Sequence, residues 1–232
     1  MVGPLGNGDD GRMRVLGLDT ATSGCSAALW DDGRITARRA EPMARGQAEA
    51  LVPMVAAVLA DAGVGFADLD RIAVTVGPGA FTGLRISLAA ARGFALAAGL
   101  PVIGLTTFEA LAHAVPEAER RGRTVLAAVD SRRAEPFLQL FTGELVPLGE
   151  PALLLPDAVP GWLPAGPLLV VGDGAPLLRP VLEGREDVAF AAGPGLPDAA
   201  VVAALGARRA EGLPPQPLYL RPPDVTLPKG AA

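Results

Sequence analysis

Between residues 71 and 99 the hydrophobic pattern changes its period. Residues 72–76 (IAVTV) form an apolar run rich in β-branched side chains, which predicts a buried strand. Gly77-Pro78-Gly79 cannot continue it. Beyond them Leu84, Leu88, Ala91 and Ala95 recur at helical spacing, with Thr82 placed to cap a helix that starts at Gly83 and Leu84. At about 100° per residue Ile86, Ala90, Gly93 and Ala97 fall on roughly the opposite side, which leaves Arg85 and Arg92 as the charged stripe. A helix that is apolar on two sides is covered on two sides. The leucine side suits a sheet, and the small-residue side admits a second helix at close range, from this chain or from a partner.

The rest of the chain reads in the same way. Residues 14–18 make a short apolar strand ending at Asp19-Thr20, and residues 25–30 and 35–39 alternate around Asp31-Asp32-Gly33, a hairpin signal. In residues 45–62 the spacing of Ala48, Leu51, Val52, Val55, Leu59 and Ala62 is helical, Gly63 ends the helix, and Pro53 inside it should bend it or free a carbonyl. A strand over 101–105 and a short helix over 107–114 follow. The second half begins like the first: strand 124–129 ends at Asp130-Ser131 and leads through a turn into strand 136–141. Val171-Gly172-Asp173-Gly174-Ala175 then echoes Val76-Gly77-Pro78-Gly79-Ala80. These echoes predict an α/β fold of two duplicated β-β-β-α-β-α lobes facing one another, each aiming an acidic residue and a glycine turn at a shared cleft. Residues 143–167 carry many prolines and glycines, so the second lobe should be loop-rich and reduced, with one more helix over 197–211. The expected divisions are a disordered tail at 1–12, a first lobe at 13–114, a second at 115–222 and a tail at 223–232.

Composition narrows the class. A chain of 232 residues with 50% hydrophobic content supplies a substantial core. Its apolar stretches are broken by Gly, Pro or charge before they reach the length of a membrane span, and residues 1–12 lack the apolar core of a signal peptide, so a cytoplasmic protein is expected. A single cysteine, Cys25, cannot form an internal disulfide; it fits a reducing compartment and a packing role. The net charge of −5 argues against wrapping nucleic acid without a basic partner or a local patch.

Glycine loops before helices gather backbone N–H groups, so Gly77, Gly79, Thr82 and Gly83, with Asp19 and Thr20, are candidates for holding a nucleotide or another anion. The alternative is a tight turn with no ligand. It is no Walker loop, because Leu84 follows Gly83 where a lysine is required, and no dinucleotide fingerprint, because the third glycine comes one residue late. Asp19 and Asp130 end corresponding strands and can hold a metal, serve as acid and base, or cap their turns. His113 is the only histidine, with no G-x-S-x-G serine or C-x-x-C nearby, which leaves little support for a Ser-His-Asp or Cys-His hydrolase or for a zinc site.

DTATSGCSAALWDDG, the helix containing LVPMV, GPGAFTGLRISLAAARGFALAAGLPVIGLTTFEAL and the late YLRPPDVT together resemble the bacterial TsaB (YeaZ) family over nearly the whole chain. The resemblance implies the two-lobed actin-like ATPase fold shared with sugar kinases and chaperone ATPases. It further implies a non-catalytic subunit in the synthesis of threonylcarbamoyladenosine in tRNA, paired with the catalytic paralogue TsaD and joined by an ATPase, TsaE. TsaD carries a metal-binding H-x-x-x-H at the positions of Thr107 and Leu111, and neither residue can serve as an iron or zinc ligand. The expectations are therefore no catalytic residue, no metal, and no cofactor bound by the lone chain. The resemblance leaves open whether ATP or ADP binds at the interface with the partner and whether the chain forms a homodimer when alone; it implies that tRNA is contacted only through the complex and that no membrane is involved. The expected partner interface is Ile86, Ala90, Gly93 and Ala97 with Ala50, Met54 and Ala57 on the preceding helix. Two other classes stay open: a small-molecule kinase or nucleotidase of the same fold, recognised by ATP turnover of the isolated chain, and a glycoprotein peptidase, recognised by cleavage without TsaD.

Overall fold

The structure, a computed structural model, describes residues 12–193 and 195–221. The predicted tails therefore lie outside the described residues, apart from Arg12.

The first half runs β1 (Arg14–Asp19), β2 (Gly24–Asp31), β3 (Arg34–Pro42), α1 (Gln47–Ala62), β4 (Arg71–Gly77), α2 (Phe81–Ala98), β5 (Val102–Thr106) and α3 (Thr107–Ala114). A single turn, α4 (Glu117–Arg120), leads to the second half. There follow β6 (Thr124–Val129), β7 (Phe137–Phe141), β8 (Pro147–Leu153), α5 (Val159–Trp162), β9 (Leu168–Val171), α6 (Ala175–Leu182), β10 (Val188–Phe190) and α7 (Ala199–Arg208). The sheets have the orders β3-β2-β1-β4-β5 and β8-β7-β6-β9-β10. In each, the first strand of the half lies in the middle, antiparallel to the second strand and parallel to the fourth. The two halves are thus the same unit built twice.

Alternation along β1 divides the packing. Leu16 and Leu18 face a core closed by Leu51, Val55 and Leu59 of α1 and by Leu84 and Leu88 of α2. Val15 faces the other way and meets Val202 and Ala203 of α7. α7 can lie this close because position 17 has no side chain: a Cβ on Gly17 would stand 2.2 Å from the Ala199 carbonyl oxygen and 2.8 Å from the Ala203 nitrogen. The second sheet buries Val125, Val129 and Phe141 against Phe108 and Leu111 of α3, and Leu126 and Leu138 against Val159, Leu178 and Leu182 of α5 and α6. The helices that end the two halves are exchanged, α3 onto the second sheet and α7 onto the first. A division after residue 114 separates the sheets but not their cores. A final segment ties the halves again. Leu213 and Gly104 exchange two backbone bonds of 3.0 Å, the Leu218 N–H donates to the Val76 carbonyl, and Arg221 pairs with Glu135 at 2.6 Å.

Three expectations need correction. α2 starts at Phe81 with Ala80 as its N-cap and no side-chain cap, so Thr82 lies inside the first turn. The entry point is set by the Ala80 N–H, which donates to the Ala21 carbonyl oxygen at 2.7 Å. α1 starts at Gln47, after Gly46 in the left-handed region. The stretch 143–167 is not all loop: Pro147–Leu153 pairs with β7 as an edge strand, where prolines are tolerated because one side of the strand needs no donors. The second lobe is reduced as expected, with α5 and α6 of 4 and 8 residues against 16 and 18 in α1 and α2.

Gly17→Ala should cost about 2–3 kcal/mol by forcing α7 off β1, as overpacking does in a well-packed core. Urea unfolding measures it, and a wild-type midpoint would show that α7 does not approach β1 this closely.

Candidate functional site

The β1–β2 turn, the start of α2, the β6–β7 turn and the Gly172-Asp173-Gly174 turn meet between the two sheets. Asp19, at the end of β1, is fully buried. Its Oδ1 accepts from the Thr75 hydroxyl at 2.5 Å and the Ala21 N–H at 3.2 Å, while its Oδ2 has no hydrogen-bond partner. Burial pushes the Asp19 carboxyl up to about 7 against the pull of those two bonds, with Asp198 and Asp173 adding repulsion.

Thr20 does something different. Its hydroxyl donates to the Gly83 carbonyl oxygen at 2.6 Å and accepts the Ser87 N–H at 3.1 Å. Those are the two groups that an uninterrupted α-helix bonds directly, so Thr20 inserts its side chain into the ladder of α2. The glycines follow from this docking. A Cβ on Gly83 would lie 2.1 Å from the Thr20 carbonyl oxygen, and one on Gly79 would lie 2.2 Å from that of Ala21. Gly77 has φ 122 and passes beneath Leu218. Packing of backbone on backbone accounts for Gly77, Gly79 and Gly83. Thr82 is exposed; with Gly83, Thr22, Ser23, Gly46 and Arg132 it lines a cavity of about 520 Å3 at the starts of α1 and α2.

Across the cleft, the charge of Asp173 bears on Asp19. Asp173 Oδ1 accepts the Asp130 N–H at 3.0 Å, and burial pushes its carboxyl up to about 6 against the pull of that bond and of Arg132. Asp173 is legible in the sequence as the centre of the glycine-turn echo, and Asp130, at the strand end, caps its turn by accepting the Arg132 N–H at 2.7 Å, one of the roles its position allows. Arg132 had no signal in the pattern. Cys25 is buried and its thiol is pushed up to about 11 by burial, which makes it inert. Burial lowers the His113 value. Thr107 and Leu111 are buried, Leu111 in the core under the second sheet. Among the described residues no group of three His, Cys, Asp or Glu is close enough to hold a metal ion, and no helix is long and apolar enough to cross a membrane.

On the outer surface of the first half, α1 packs beside α2. Met54 is buried in the core and is not available to a partner, which corrects its assignment: it lies on the same side of α1 as Leu51, Val55 and Val58. Ala50, Ala57, Ile86 and Ala90 are half-buried, and Gly93 and Ala97 are exposed. Two residues were missed. Leu96 is 87% exposed, an apolar residue three positions beyond Gly93, and Val52 is 52% exposed although its spacing had placed it in the core repeat.

Comparison with known proteins adds the following. Residues 40–151 match the family model described as TsaD, tRNA N6-adenosine threonylcarbamoyltransferase. The TsaB protein of Escherichia coli K12 is 41% identical over 126 residues, which is 54% of this chain and 53% of the relative. The chain spans about half the length of the curated TsaB relatives it matches. The solved structure of YeaZ from Pseudomonas aeruginosa is 33% identical, with TM-score 0.77 over 90% of this chain and 100% of that one. The chain belongs to the TsaB (YeaZ) family. The fold is the two-lobed actin-like ATPase fold, also seen in the activator of the 2-hydroxyisocaproyl-CoA dehydratase from Clostridium difficile, at TM-score 0.53 and 12% identity over 84% of this chain and 94% of that one. In this TsaB-family chain the place where the two lobes meet is lined by buried carboxylates.

That burial has a pH signature. An unfolded aspartate titrates near 3.9, whereas Asp19 in the folded chain titrates at about 7. Between those values the native state binds the extra proton, so the Asp19 contribution to stability falls as pH rises through this window and is flat above it. Wild type should lose about 1 kcal/mol more than Asp19→Asn between pH 6 and pH 8 in urea unfolding, a range that lies above most of the Asp173 titration. Parallel pH profiles for the two proteins would show that Asp19 is ionised throughout.

Proposed function

We propose that this TsaB-family chain is the non-catalytic subunit of the complex that makes threonylcarbamoyladenosine beside the anticodon of tRNA, pairing with and activating a TsaD-type transferase through the outer faces of α1 and α2. The observation that carries the reading is Gly93. It lies within an 18-residue helix, a Cβ built on it meets nothing within 4 Å, and no conformational reason requires it, since it sits in regular helix. Glycine there costs the isolated chain about 0.5–1 kcal/mol relative to alanine. A second helix approaching closely gives it a purpose, and the exposed Leu96 and Val52 beside the small residues give that helix apolar area to cover.

The names of the relatives support the process, and Thr107 and Leu111, standing where the paralogue is expected to carry its histidines, support the division of labour. In this reading the chain binds no metal of its own and reaches tRNA only through the complex. ATP or ADP joins at the surface shared with TsaD, TsaE docks on the pair, and the same helical face forms a homodimer when the chain is alone. The assembly is cytoplasmic. The decisive assay is formation of the modified nucleoside by purified TsaD and TsaE with and without this chain; activity that is equal in both would overturn the proposal.

Gly93→Ala should raise the stability of the isolated chain by about 0.5–1 kcal/mol and weaken pairing. Gly93→Arg should melt as wild type and lose about 100-fold or more in affinity for TsaD, the effect of a charge placed in the centre of an interface. Ala90→Arg, at a half-buried position, should lose both stability and affinity. Unchanged affinity in all three, measured by calorimetry, rules this face out as the contact.

A further inference from the structure

Arg132 stands in the β6–β7 turn with φ 61, a backbone region that residues other than glycine seldom adopt. Its N–H donates to Asp130 Oδ1 at 2.7 Å, which sets the turn. Its guanidinium pairs with Asp130 Oδ2 at 3.1 Å, comes to 4.0 Å from Asp173 Oδ2, and donates through Nη2 to the Ser23 hydroxyl on the β1–β2 turn of the other half. Asp173 in turn fixes Asp130 through the 3.0 Å bond from its N–H. One side chain therefore joins two turns of the second half to a turn of the first.

The surroundings call for a cation. Asp173 Oδ2 and Asp19 Oδ2 are buried without hydrogen-bond partners, and the two carboxylates repel one another across the cleft. A divalent ion between the halves would need the oxygens of Asp130 and Asp173 that the guanidinium already addresses, so the residues as arranged do not fit one. We propose that Arg132 is a built-in counter-ion that latches the two halves in place of a metal-bound ligand, holding the cleft closed in the ligand-free chain. An arginine suits the task because its fork addresses several oxygens at once and keeps its charge at every physiological pH.

The test compares the full-length wild type with Arg132→Ala and Ser23→Ala by hydrogen exchange and by thermal melting with and without Mg2+. In Arg132→Ala, exchange in residues 19–24 and 130–135 should speed by about tenfold or more, the consequence of losing charge-assisted bonds. Strand β4 should exchange as before. Mg2+ should raise the melting temperature of Arg132→Ala, whose carboxylates are freed, and leave that of wild type unchanged. Ser23→Ala removes only the contact across the cleft; its turns should open faster with no response to Mg2+. Wild-type exchange in both variants overturns the latch, as does a Mg2+ shift in wild type equal to that of Arg132→Ala. If Arg132→Ala does not fold, the exchange of Ser23→Ala decides alone.

Discussion

A hydroxyl group inserted into a helix sets the geometry of the first half. Because Thr20 stands between Gly83 and Ser87 in the ladder of α2, the helix is pinned to the end of β1 at a distance where no Cβ fits, and Gly79 and Gly83 are the consequence. The same contact decides which side of α2 turns outward. Leu84, Leu88, Ala91 and Ala95 go to the core, and Gly93, Leu96 and Ala97 go to the surface. Asp19, the residue before Thr20, is fully buried at the same strand end, in a medium that disfavours its charge. The glycine loop, the buried end of β1 and the two faces of α2 are thus one arrangement seen from three sides.

Duplication explains the cleft, and divergence explains what the cleft has become. Both halves keep the same strand order, so both present a turn after their central strand and a glycine turn after their fourth. The first half uses its turn to hold α2. The second carries an arginine in its own, aimed at the other half. Its helices are also shorter, so the two lobes contribute unequally to the structure: the first supplies the broad helical surface, while both contribute to holding the lobes together, α3 packing on the second sheet and α7 on the first.

Much of this was legible in the amino-acid pattern because the first half obeys simple periods. The period of two in β2 and the spacing of Leu84, Leu88, Ala91 and Ala95 in α2 each have one structural solution, and β6 and α3 were read to the residue. What escaped was set by contacts distant in sequence. Ala80 begins α2 because a carbonyl 59 positions earlier accepts its N–H, which no local capping rule can see. Met54 and Val52 exchange roles because α1 packs on one sheet face and beside α2, so its apolar arc is rotated from the one its spacing suggested. β8 was hidden by prolines that an edge strand accommodates. Asp173 and Arg132 belong to turns, where composition carries no periodic signal, and their meaning appears only when the two halves face one another.

The exchange of α3 and α7 also bears on how the chain is made. The face of the first sheet that carries Val15, Ala73 and Leu105 is covered by residues 202–205, so strands of the first half are covered by a helix made after both sheets. A nascent chain that has completed both sheets still carries that apolar face bare, and its closing contacts span nearly the whole sequence. Folding of the first half is therefore completed only after α7 has been made, and until then its bare β-face is a target for chaperones and for aggregation.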